Sequence, residues 1–307
     1  MKLIFSPARL ATLVLVSLLI FGSCKKETSG SESEEVFASQ ASSEADAESD
    51  DIFNEVFDNV MGVNADVAFG GTGVFGQVNQ SSIGETARTT ACPDVTVTHL
   101  NAPDVFPVKI VMDFGTGCTG RDGRTRSGKI ITVYTNRLIV PGAKATTIFE
   151  NFKVNDIQVQ GTHVITNLSE PPVNSACPTH KWKVTVENGK LTKPNGNYVE
   201  WNGTRTITQI EGRCTTNIPL DDIYEITGSS NGKVKRGDLL IAWRSEITEP
   251  LIKKFTCRWL VKGVIKIIRL NLSTNSPWVA TINYGNGDCD NRAVVTINGV
   301  PHEITLP

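Results

Sequence analysis

Gly123-Arg124-Thr125-Arg126-Ser127-Gly128-Lys129 comes within one residue of a phosphate-binding loop. Such a loop needs Ser or Thr after its Lys to hold magnesium, and a helix behind it whose N-terminus faces the phosphate. Here Ile130 follows and opens a β-patterned run, so the stretch reads as a solvated basic loop. Gly228-Ser229-Ser230-Asn231-Gly232 has the outline of a nucleophile elbow around Ser230, a motif that works on a strand–turn–helix. Its Asn-Gly pair and the β-rich sequence beyond it read instead as a hairpin turn. The histidines, His99, His163, His180 and His302, fall at none of the spacings that zinc sites use. Asp288 and Asp290 flank Cys289 after a Gly turn, but calcium takes about six to eight oxygens and the closing Glu of a binding loop is absent. An Asp-rich turn is expected there, and Arg236-Gly237-Asp238 reads as a polar loop between strands. Trp182, Trp201, Trp243, Trp259 and Trp278 offer either an exposed platform for a glycan or the cross-strand packing commoner for Trp in sheets. No catalytic residue, metal ligand or cofactor is assigned, and a non-enzymatic role is expected.

Cysteine supplies the remaining chemistry. Cys92, Cys118, Cys177, Cys214, Cys257 and Cys289 are disulfide candidates, an even set that suits an exported domain. Sequence does not dictate the pairing. The simplest expectation is neighbour with neighbour, Cys92–Cys118, Cys177–Cys214 and Cys257–Cys289, each loop contributing roughly 3–4 kcal/mol.

The seventh cysteine stands apart. Lys2 and Arg9 precede an apolar run from Leu10 to Phe21, then Gly22-Ser23-Cys24. A short positive region, an apolar stretch and small residues make a secretory signal, and the run is too short for the ~20 residues of a membrane span. The Cys at the cleavage point resembles the lipobox of bacterial lipoproteins, with Phe21 where that family usually places Leu. The resemblance implies removal of residues 1–23 and acylation of Cys24. Each buried methylene of an acyl chain contributes about 0.8 kcal/mol, and two or more chains hold a protein stably on a bilayer.

The elements that must carry these residues are legible mainly from charge and periodicity. Residues 25–66 hold twelve acids against Lys25 and Lys26, a net of −10, whereas residues 67–307 carry 26 basic and 20 acidic groups, a net of +6. The tethering segment and the rest of the chain are thus of complementary charge. Ser29 to Asp51 is rich in Ser, Glu, Ala and Asp, and that composition predicts a disordered acidic tether over residues 24–51. Removal of residues 29–50 is then expected to leave thermal unfolding almost unchanged. Ile52, Phe53, Val56, Phe57 and Val60 fall on one helical face and predict a short amphipathic helix over 52–66.

From about Thr89 the period becomes two, as in Val108–Phe114 and Lys129–Tyr134. Six Asn-Gly dipeptides, at 188, 195, 202, 231, 286 and 298, carry the preferred centre of a tight hairpin. An all-β, antiparallel, hairpin-rich domain over 67–307 follows, of roughly a dozen strands, as a sandwich, a barrel or an extended meander. There is also an internal echo: Val111–Cys118 resembles Thr281–Cys289, each a strand, a Gly-x-Gly turn and a Cys.

The signal with Cys24, the acidic segment and the aromatic-Gly-x-Gly-Cys turns together resemble uncharacterised lipoproteins of the Bacteroidota. The resemblance implies outer-membrane localisation through the lipid on Cys24, and no activity. Lys25-Lys26-Glu27 partly matches the charged signal that directs such proteins to the cell surface. An envelope protein or a glycan is the expected partner. The diffuse basic excess and the exported location argue against nucleic acid. A carrier of an apolar ligand, or a hydrolase assembled only in three dimensions, are the rival expectations.

Overall fold

Inward apolar residues alternating with outward polar ones build most of this chain, as in Lys181–Thr192, where Trp182, Val184 and Val186 are buried. In the computed structural model, which describes residues 29–62, 93–120, 122–171, 177–215, 221–270 and 279–306, fourteen such strands follow one helix. The helix is α1 (Ser29–Met61). The first strands are β1 (Asp94–His99), β2 (Val108–Asp113), β3 (Cys118–Thr119), β4 (Thr125–Tyr134) and β5 (Lys144–Val154). The centre holds β6 (Ile157–Asn167), β7 (Lys181–Thr192), β8 (Tyr198–Glu211), β9 (Ile223–Arg236) and β10 (Leu239–Lys254). The last are β11 (Leu260–Arg269), β12 (Val279–Asn286), β13 (Arg292–Ile297) and β14 (Val300–Thr305).

All pairings are antiparallel and the order simply follows the chain, with β3 set aside against β4. The sheet is therefore a single open meander, since β1 and β14 do not pair. Its inner face is wrapped about α1. Helix residues Ala41, Asp46, Phe53, Val56, Phe57 and Met61, which point in different directions around the helix axis, are all buried. Asp51 is reached both by Arg124, just before β4, and by Arg258, between β10 and β11, places far apart in the strand order.

Two expectations change here. Residues from 29 onward are not a tether: they form the first half of α1, and the helix is 33 residues long rather than a short element beginning at 52. Ala38, Ala41, Ala45 and Ala47 favour the helix intrinsically. The buried Ser42 and Ser43 hydroxyls donate back to the Ser39 carbonyl, and that of Ser49 to the Ala45 carbonyl, so those serines meet their hydrogen-bonding needs within the helix. Gly62, at φ 78°, ends it with an N–H to the Asn59 carbonyl.

Three of the six Asn-Gly pairs also depart from expectation. Asn298-Gly299 is a two-residue hairpin loop with both φ angles positive, and Asn195-Gly196 lies in the β7–β8 turn. By contrast, Asn202-Gly203 and Asn231-Gly232 sit inside β8 and β9 with Asn202 opposite Asn231, and Asn188-Gly189 is a bulge within β7. The missing side chains make room for large neighbours. A Cβ on Gly203 would stand 2.3 Å from the Trp201 ring, and one on Gly232 would stand 2.5 Å from the Trp243 ring. The internal echo is structural as well: Gly115 N–H donates to Asp113 Oδ1 and Gly285 N–H to Asn283 Oδ1, both at 2.9 Å.

Candidate functional site

The polar groups of the molecule converge along α1, whose described side chains run from Ser33. Five acidic residues, Glu44, Glu48, Asp51, Glu55 and Asp58, recur at steps of four and three and make one stripe on the helix. The sheet answers each of them. Arg236 Nη2 lies 2.6 Å from Glu44, Lys193 Nζ 2.9 Å from Glu48, and Lys253 Nζ 3.0 Å from Asp58. Arg124 bonds both Asp51 and Glu55, and Arg126 Nε donates to Glu55 at 2.6 Å while its Nη2 reaches Asp122 at 2.6 Å. Towards the start of α1, Arg269 pairs with Glu35. On another face of the helix Arg205 Nε donates to Asp50 at 3.2 Å, and both residues are buried.

Asp46 is the innermost acid. Its Oδ1 accepts from Trp201 Nε1 at 2.9 Å, Trp243 Nε1 at 3.0 Å and Ser230 Oγ at 2.7 Å, and Ser230 also bonds Ser245. Charge-assisted bonds of this kind are roughly twice as strong as neutral ones. Burial nonetheless raises the carboxyls of Asp50 and Asp58 above the ordinary carboxylate range, against the pull of Arg205 and Lys253 respectively.

A second buried group lies beyond the end of the helix. Asp222 accepts from Gln209 Nε2 at 2.7 Å and from the Tyr224 hydroxyl at 2.9 Å. Burial pushes its carboxyl up to about 6 despite those bonds, and both burial and the Asp222 charge raise the Tyr224 phenol. His163 is fully buried, stacked parallel to Phe53 at 6.4 Å, and burial lowers its imidazole to about 3. His180 lies on Trp182 at 5.5 Å and is lowered by burial as well. His99 Nδ1 donates to the Val105 carbonyl at 2.8 Å on the exposed edge, and His302 lies on β14.

The motifs singled out in the sequence fall as follows. Arg124 and Arg126 are not a solvated loop: both are buried and bound to the helix acids. Ser230 is not in a hairpin turn: it sits mid-strand in β9, with its hydroxyl committed to Asp46 and Ser245. Arg236-Gly237-Asp238 is the β9–β10 turn, and Asp290 closes a local turn onto the Arg292 N–H. Among the described residues, no group of three or more His, Cys, Asp or Glu is placed to hold a metal ion. Trp182, Trp201 and Trp243 are in the core, and Trp259 packs against it beneath Arg258, so these four make no exposed platform; Trp278 lies outside the described residues.

Cys177 is bonded to Cys214 and Cys257 to Cys289, and Cys118 is also in a disulfide. Cys24 and Cys92 lie outside the described residues. Such bonds mark an extracytoplasmic domain. No described helix is long and apolar enough to cross a membrane. Comparison with protein-family models, curated proteins and solved structures gives no match.

The basic lining of the sheet was missed in the sequence. Its signal is the opposite charge of the two regions, −10 before residue 67 and +6 after it.

Proposed function

We propose that this chain is an outer-membrane lipoprotein, held on the bilayer by acyl chains on Cys24, whose β-domain acts by binding rather than by catalysis. The observation that carries the reading is the export signal ending in Gly22-Ser23-Cys24, ahead of a disulfide-bonded domain. Binding is favoured over carriage of an apolar cargo because the inner face of the sheet is occupied by α1, with Phe53, Phe57 and Met61 buried against it. The buried serine, carboxylates and guanidinium groups are committed to one another across the helix–sheet boundary, which supports a structural role for them. The partner is a component of the envelope. A polar surface cleft of about 440 Å³, lined by Asn283, Asp288, Asp290, Arg292 and Glu303 among others, suits a hydrated group such as a glycan or a polar loop.

Growth with an alkyne analogue of palmitate tests the anchor. The wild-type protein is expected to take up the label and to fractionate with membranes, and Cys24→Ser to be unlabelled and released. Retention of unlabelled Cys24→Ser on membranes would sink the reading.

A further inference from the structure

α1 begins at Ser29, five residues after Cys24. Five extended residues span at most about 18 Å. The acyl chains therefore sit close to one end of the domain rather than on a long leash. That end is defined by the ion pairs of the first half of the helix. Glu35 meets Arg269 at the end of β11, and Glu44 meets Arg236 at the end of β9. The β9–β10 turn and the last residues of β11 thus lie on the side of the helix start. The opposite end is marked by Tyr134, whose hydroxyl donates to the Val60 carbonyl and which pairs with Val108 of β2. From Glu35 to Val60 the helix rises about 37 Å.

The near end carries large apolar side chains in the open. Leu239 and Leu240 begin β10, and Leu270 follows β11 with its N–H on the Ala242 carbonyl, which sets it opposite Ala242 and diagonal to Leu240 on the same face. Leu240 is 46% exposed, Leu270 52%, and Phe37 on the helix 51%. Lys235 and Tyr198 continue the Leu240 row across β9 and β8. Leucines beside a lysine and a tyrosine suit the boundary of a bilayer, where apolar groups enter the acyl region while basic groups stay among phosphates.

We propose that the β9–β10 turn, with Leu239, Leu240 and Leu270, docks on the phospholipid leaflet that holds the Cys24 acyl chains and so fixes the domain's orientation. This rests on the acylation of Cys24 proposed above. The docked end faces lipid, and the end bearing the β1–β2 loop faces away.

The test uses full-length acylated protein in vesicles of phosphatidylethanolamine and phosphatidylglycerol. A polarity-sensitive probe is placed on Leu240→Cys, on Leu270→Cys, or on Val105→Cys in the β1–β2 loop. Probes at 240 and 270 are expected to shift to the blue and to be quenched several-fold by brominated acyl chains, with the probe at 105 unaffected. Using two sites, one at the start of β10 and one just after β11, guards against local unfolding at either. If the protein floats with the vesicles while the probes at 240 and 270 behave like that at 105, docking is overturned and anchoring stands. If the protein fails to float and carries no acyl group, both fall.

Discussion

Between Ala38 and Asp50, α1 offers small side chains and carboxylates while the sheet supplies the bulk, as Trp201 and Trp243 closing on Asp46. Between Ile52 and Met61 the helix supplies bulk itself, and Phe53 and Phe57 meet Phe149, Trp201 and Trp182 ring to ring. The first half relies on directed charges and hydrogen bonds, and the second adds ring packing to the ion pairs of Glu55 and Asp58. Both halves are equally buried, so burial by itself does not distinguish an apolar stripe from a paired polar one. Buried ion pairs gain little net stability over well-packed apolar groups, but losing one partner is costly. The first half should therefore confer position more than stability.

Removal of residues 29–50 breaks the comparison outright. It strips the sheet of the partners of Arg205, Arg236, Lys193, Trp201 and Trp243, and the cooperative thermal transition seen by calorimetry is expected to disappear. An unchanged transition would show that the first half is dispensable, as composition alone suggests.

Single substitutions sharpen it. Phe57→Ala and Asp50→Ala should each cost about 3–5 kcal/mol in urea titrations, the first through a cavity and the second through an orphaned Arg205. Replacing both charges, as Asp50→Leu with Arg205→Met, should recover most of the loss. If the double replacement is as unstable as Asp50→Ala, the pair contributes stability of its own and the contrast between the halves fails.

The smallest effect is a pH dependence. Asp222 is raised to about 6, and burial also raises Asp50 and Asp58. A carboxyl higher in the folded than in the unfolded state contributes stability that is present below the unfolded value and lost as pH rises through the folded one. For Asp222 this amounts to roughly 2–3 kcal/mol between about pH 4 and pH 7. Burial of His163 and His180 acts in the opposite sense over the same window, so the Asp222 contribution is read by difference: the stability of the wild type relative to Asp222→Asn should fall from pH 4 to pH 7. Asp122, held low by Arg126, acts in the opposite sense and only below about pH 4. A wild-type advantage over Asp222→Asn that fails to shrink from pH 4 to pH 7 would contradict the raised Asp222 carboxyl.

The strands were legible because side-chain alternation is local. Val108–Asp113 and Lys129–Tyr134 lie in β2 and β4 nearly as their pattern predicts. The apolar face of Ile52–Val60 was legible for the same reason. What could not be read locally is what an acidic segment becomes when a basic surface is built to receive it. Ser29–Asp50 has few large apolar residues of its own, Val36 and Phe37 among small and acidic ones, and its partners stand far away in sequence. Likewise Gly203 and Gly232 look like turn residues until the rings of Trp201 and Trp243 are set over them. The candidate site was thus visible only as a charge imbalance, and its lining arginines passed for a loop.

The position of α1 at the front of the chain bears on how the protein is made. A secreted chain emerges with its N-terminal part first, so the helix segment arrives before any strand that surrounds it. Its ion-pair partners come late: Arg236 stands 192 residues beyond Glu44, and Arg269 234 residues beyond Glu35. Contacts of such separation make assembly slow. During that wait the segment carries ten acidic and no basic side chains, so it repels copies of itself and stays hydrated. The acidity that later becomes the interior of the domain first serves to keep its earliest-made part from aggregating.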